Sequence, residues 1–121
     1  MNKPIFQNPQ LDGTDFFLSG GDTGILLLHG FTATTVEVRP LANILHHAGV
    51  TVSAPLLPGH GTHPEDLLPI LWGNWVTKAA EKLDGLFKSC SRIYVGGESM
   101  GGLIALLLAH QYPLVAGVVI F

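Results

Sequence analysis

This chain has one cysteine and only six Lys+Arg in 121 residues, and each scarcity closes a class of function. With Cys90 alone there is no intrachain disulfide and no thiolate metal cluster, so the thiol reads as a small buried side chain. Six basic residues against nine acidic ones leave a net charge of -3 and no basic footprint, which excludes nucleic acid as a partner. An uninterrupted apolar run of membrane length is also missing. Residues 103–121 come nearest, but His110-Gln111-Tyr112-Pro113 breaks them in the middle, giving a helix and then a strand in place of a transmembrane segment. Residues 1–13 are polar and carry proline, with no apolar core behind Lys3, so no secretory signal is read and a cytoplasmic location is expected.

What is present is 47% hydrophobic residues, enough at this length for one core and too little for two. Short apolar runs rich in β-branched residues alternate with longer segments of helical period, the pattern of βαβ units around a parallel sheet. The fold class is α/β. Strands are expected at 16–18, 24–28, 50–54, 92–95 and 114–121. A helix is expected over 36–48, starting near Glu37 or later because Pro40 must lie in its first turn, with Gly49 ending it. Another runs from Trp72 or Asn74 to Lys88, with Lys78, Glu81, Lys82 and Asp84 on a solvated face, and a third covers 99–110. Between them, residues 55–69 form a loop with four prolines and two glycines, and long loops in compact domains are commonly functional.

The chemistry concentrates at Gly97-Glu98-Ser99-Met100-Gly101, a G-x-S-x-G match between the strand Arg-Ile-Tyr-Val and an apolar helix. A serine hydroxyl is a weak nucleophile until a base takes its proton and the site accepts charge on the attacked carbonyl oxygen. A sharp strand-to-helix turn lifts the hydroxyl above the sheet and sets it beside the free N–H groups of the helix terminus. Such a turn tolerates almost no side chain at its flanks, and Gly97 and Gly101 meet that need. Just after the buried strand at 24–28 comes His29-Gly30-Phe31-Thr32. An oxyanion hole draws one N–H from the residue after the nucleophile, here Met100, and another from such a loop, here Phe31. His29 itself then reads as a core histidine bonded to backbone.

Three motifs in order, Leu-Leu-Leu-His-Gly-Phe-Thr, Leu-Pro-Gly-His-Gly at 57–61 and Gly-Glu-Ser-Met-Gly-Gly, resemble the α/β-hydrolase superfamily, and within it bacterial carboxylesterases related to monoacylglycerol lipases. The resemblance implies an α/β-hydrolase fold, with residues 1–121 as the N-terminal portion of a single domain. It also implies a carboxylesterase or lipase whose Ser99 is acylated by a small-molecule ester while Phe31 and Met100 hold the oxyanion. Phe31 would brush the acyl chain, and Pro58-Gly59-His60-Gly61 would be a structural turn near the site. A thioesterase, a peptidase or a C–C hydrolase of the same fold, or a non-catalytic binding module, remains open.

No cofactor and no metal are expected, since His60 and His63 have the spacing His-x-x-His but no third ligand. The triad of this fold runs Ser, then Asp or Glu, then His. After Ser99 the chain holds only His110 and no carboxylate. His110 lies about 16 Å along the helix that leaves Ser99. The expectation is a second polypeptide segment that supplies the acid and the histidine, the chain stopping inside an apolar strand. His46 and His47 read as surface residues on the first helix.

Overall fold

The computed structural model describes residues 11–121. The reading of residues 1–13 as lacking a secretory signal therefore lies, for its first ten residues, outside the described part. Five strands form one sheet: β1 (Phe16–Leu18), β2 (Thr23–Leu28), β3 (Thr51–Ala54), β4 (Arg92–Gly97) and β5 (Gly117–Ile120). Their order is β1-β3-β2-β4-β5, with β1 antiparallel to β3 and every other pair parallel. Helices α1 (Arg39–His47), α2 (Trp72–Phe87) and α3 (Met100–Gln111) make the crossovers between the parallel strands.

Strand β2 reads as a continuous apolar run because both its faces are covered. Leu26 and Leu28 join a core with Ala79, Leu83 and Leu86 of α2 and Ile104, Ala105 and Leu108 of α3. On the opposite face, Ile25 and Leu27 pack with Val38, Ala42, Val52 and Ala54. Each fully buried leucine here contributes about 2 kcal/mol.

The elements stand where their residues call for them, with boundary differences of clear cause. Residues 35–37 form a 3-10 turn capped by Thr34, whose side chain accepts the Val36 N–H, so α1 begins only at Arg39 with Pro40 in its first turn. Gly49, at φ 96°, ends it in a conformation that suits glycine. Helix α2 starts at Trp72, where the Asn74 side chain accepts the Leu71 N–H at 2.8 Å. The 55–69 loop contains a 3-10 turn at Pro64–Leu67. Strand β5 is shorter than expected, because the Val115 N–H bonds to Tyr112 in a turn around Pro113 and the ladder begins at Gly117. Lys78 and Lys82, expected to face water only, approach Asp15 at 3.1 and 4.0 Å and so tie α2 to the segment before β1. These part-exposed pairs contribute little to stability.

Helix α3 is apolar nearly all round, yet Leu103 and Leu106 are exposed beside Val119, Ile120 and Phe121. Among the described residues nothing covers that face. No helix among the described residues is long and apolar enough to cross a membrane.

Candidate active site

Strands β2 and β4 are parallel neighbours in register from Thr23–Arg92 to Leu28–Gly97, so the loops that leave their C-terminal ends emerge side by side. One is 29–32 and the other is the Ser99 turn. Ser99 sits at φ 51°, ψ -114°, a region that L residues rarely adopt, and is held there by its surroundings. Its N–H donates to the Phe121 carbonyl at 3.1 Å, the preceding Glu98 N–H donates to Leu28 at 3.0 Å, and the Ser99 carbonyl accepts from Gly102 and Leu103. The residue is exposed, so its hydroxyl is open to a reactant. Close approach makes the turn possible: a Cβ on Gly97 would lie 2.2 Å from the Gly101 carbonyl carbon, and one on Gly101 would lie 2.2 Å from the Leu28 oxygen.

The two loops meet at Gly30, where a Cβ would lie 3.7 Å from Ser99 Cβ. Phe31 follows Gly30 in its loop, and Met100 follows the serine at the start of α3. Among the described residues neither of their N–H groups finds an acceptor. That of Met100 is the first of α3, at the positive end of the helix dipole.

His29 is fully buried. Its Nε2 accepts the Leu57 N–H at 3.0 Å, and since a backbone amide can only donate, the ring proton is on Nδ1, which donates to the Gly30 carbonyl at 2.8 Å. Both nitrogens are thus occupied by backbone. Burial, against weaker opposing contributions, pulls the ring down to about 4, so at neutral pH it is uncharged. His29 joins the 29–32 loop to Leu57 and has no free lone pair to act as a base.

This gives a stability prediction. An unfolded His29 titrates near 6.5 and the folded ring near 4, so the neutral ring's contribution is complete above 6.5 and is lost as pH falls through 6.5 towards 4. The loss is on the order of 3 kcal/mol by the bottom of that window. Urea midpoints of the wild type and His29→Asn at pH 7.5 and 4.5 measure it. A variant that keeps the full acid dependence would show that another group carries it.

Beside this loop an aromatic wall forms. Phe31 is half-exposed and meets His60 and Trp75 edge-on, with ring centroids 5.9 and 5.8 Å away. Trp75 Nε1–H donates to the Pro58 carbonyl at 2.9 Å, anchoring the 58–61 turn, in which Gly59 and Gly61 have φ of 81° and 75°. His60 is buried against His29, and burial lowers its affinity for a proton. His63 is exposed before the Pro64–Leu67 turn, and His110 is exposed in the last turn of α3. His46 bonds the Ser19 carbonyl and His47 the Asn43 carbonyl, so His46 holds the β1 loop as well as lying near the surface. Among the described residues, no carboxylate or imidazole hydrogen-bonds the Ser99 hydroxyl.

Sequence reasoning missed Trp75 as part of this wall and two carboxylates at this edge of the sheet, Glu37, which holds Gly30, and Glu98, which precedes the serine. The Glu37 Oε1 accepts the Gly30 N–H at 2.7 Å. Glu98 stands inside the motif, where a charged residue beside the serine was the available signal; Glu37 offered none.

A mostly parallel sheet that presents a serine on a strained strand-to-helix turn, next to a glycine loop from the neighbouring strand, defines an α/β-hydrolase domain. The chain belongs to the alpha/beta hydrolase family, whose pattern matches residues 25–121. It is 43% identical over 114 residues to a thermostable monoacylglycerol lipase of Bacillus sp. (strain H-257), covering 93% of this chain and 46% of that protein. To a carboxylesterase of Bacillus subtilis (strain 168) it is 38% identical over 102 residues, covering 82% of this chain and 41% of that protein. Among solved structures it resembles the metagenome-derived lipolytic enzymes LipS and LipT, with a TM-score of 0.86 and 31% identity over 89% of this chain and 44% of that one. The chain thus spans less than half the length of these relatives.

Proposed function

We propose that this protein is a serine carboxylic-ester hydrolase, a carboxylesterase or lipase acting through an acyl-enzyme on Ser99. The observation that carries the reading is the strained, exposed Ser99 on a turn beside the 29–32 loop, and the unengaged N–H groups of Phe31 and Met100 support it. The names of the Bacillus relatives support the ester bond as the target. A base removes the Ser99 hydroxyl proton as Oγ adds to the ester carbonyl. The negative oxygen forms between the Phe31 and Met100 N–H groups, which need no reorganisation to receive it. Collapse expels the alcohol, which takes the proton back from the base. Water then adds to the acyl-enzyme by the same route and releases the acid. Phe31 and Trp75 offer the acyl chain an apolar wall, and no fixed charge on it calls for an ionic substrate.

His29 is engaged on both nitrogens, so the base and its carboxylate partner come, in this reading, from a further polypeptide segment. The exposed apolar face of Leu103, Leu106, Val119 and Ile120 supports such a segment as its cover, making residues 1–121 the N-terminal portion of one domain. A cytoplasmic location belongs to the same reading, supported by the single cysteine.

The test is a series of p-nitrophenyl esters from acetate to dodecanoate together with monoacylglycerols, assayed with residues 1–121 alone and with the segment joined. Turnover is expected from the joined form, and a rate at least about 10³-fold lower from residues 1–121 alone, where the oxyanion donors act without a base. A joined form that cleaves thioesters or peptides but no ester overturns the substrate class. Equal rates with and without the segment would return the base to His60 or His63.

A further inference from the structure

Glu37 and Glu98 have no part in the reaction just described, yet both bear on the peptide that would hold the oxyanion. The Phe31 N–H belongs to the same planar unit as the Gly30 carbonyl, so whatever grips that carbonyl aims the N–H. The carbonyl accepts His29 Nδ1–H at 2.8 Å and the Ala33 N–H at 3.2 Å. The preceding peptide is held through its own N–H, which donates to Glu37 Oε1 at 2.7 Å. Three bonds therefore fix two consecutive peptides, and only Glu37 supplies a side-chain acceptor.

Glu37 also reaches the other half of the site. A Cβ on Gly30 would lie 3.3 Å from Glu37 Oε1 and 3.4 Å from the Glu98 carbonyl oxygen, so Glu37 and the Ser99 turn close on the same glycine. Partial burial, and then the nearness of Glu37, hold the Glu98 carboxyl above the usual carboxylate range.

Resting on the ester-hydrolase reading above, we propose that Glu37 is a positioning residue. Through Gly30, which lies against the Glu98 carbonyl and Ser99 Cβ, it holds the 29–32 loop beside the Ser99 turn and the Phe31 N–H at the place where the oxyanion forms. Glu37 touches no reacting atom. Its loss shows in the transition state and not in substrate binding, so kcat falls while KM stays.

The experiment uses the complete, active enzyme with p-nitrophenyl butyrate and compares Glu37→Leu, Glu37→Gln, Glu37→Asp and Glu98→Leu with the wild type. Leucine removes the acceptor and is expected to lower kcat 10- to 100-fold with KM within threefold. Glutamine keeps an acceptor oxygen at the same reach and is expected to restore kcat to within threefold of wild type. Glu98→Leu gives a smaller loss, and the double leucine variant loses less than the product of the two, as members of one network do. Should Glu37→Leu fail to fold, Glu37→Asp decides: its oxygen is one methylene short, so kcat falls where glutamine holds it. Wild-type kcat in Glu37→Leu, a loss carried by KM alone, or glutamine as impaired as leucine each overturns the proposal. Those outcomes leave the ester-hydrolase reading standing as long as the wild type turns over and Ser99→Ala does not. No ester turnover by the wild type overturns the reading itself.

Discussion

On the proposed role of Ser99 as nucleophile, Ser99→Ala is expected to abolish covalent labelling by a fluorophosphonate and to lower ester turnover by about 10⁶-fold, the scale of removing a catalytic serine. The fold survives, because alanine fills no more space than serine at an exposed turn. A second substitution separates chemistry from strain. The serine backbone at φ 51°, ψ -114° costs about 1–3 kcal/mol in an L residue, and glycine carries much less of that cost. Ser99→Gly is therefore expected to be as inactive as the alanine variant yet to unfold at higher urea. Intact-mass spectrometry after labelling and a denaturant titration read both results. Stoichiometric labelling of Ser99→Ala would remove this serine from its role, and a Ser99→Gly variant less stable than Ser99→Ala would remove the strain.

Valine at Gly97 or Gly101 unfolds the domain. A Cβ at Gly97 would lie 2.2 Å from the Gly101 carbonyl carbon and 2.4 Å from its oxygen, and one at Gly101 would lie 2.2 and 2.6 Å from the Leu28 and His29 oxygens. All of these are backbone atoms of β2, of the residue that follows it and of α3, so no side-chain rotation relieves the overlap. Separating the helix from the strands would open the core around Ile104, Ala105 and Leu108. The cost is expected to exceed about 4 kcal/mol, a large part of a domain's total stability. Gly85 in α2 is the control, since a Cβ there meets nothing within 4 Å and Gly85→Ala should stabilise by about 0.5–1 kcal/mol. Soluble, cooperatively folded Gly101→Val would contradict the close approach of α3 to β2.

Much of this architecture was legible because its causes are local. The unbroken apolar run at 24–28, Pro40 just inside a helical pattern and Gly49 just past it each act within a turn or a strand of themselves. The Ser99 turn was legible for the same reason: glycines two residues on either side of a serine, between a strand and an apolar helix, express a steric demand written in adjacent positions. Boundaries drifted where a local bond competed, as with the Thr34 cap that delays α1 and the Tyr112 turn that shortens β5.

By itself, then, the sequence determined which residues form strands and helices, that the sheet is mostly parallel, and that Ser99 stands on a strand-to-helix turn. Only the tertiary structure decided the state of the histidines and the partners of the carboxylates. His29 is a neutral brace and not a free base because its Nε2 receives an amide 28 residues away at Leu57. Glu37 holds Gly30 beside the Glu98 carbonyl only because β2 and β4 are parallel neighbours that deliver their following loops to one edge of the sheet. Periodicity and propensity act over a few residues, whereas hydrogen bonding and charge act over a few ångströms. Which distant residues come within those ångströms is set by how the chain packs.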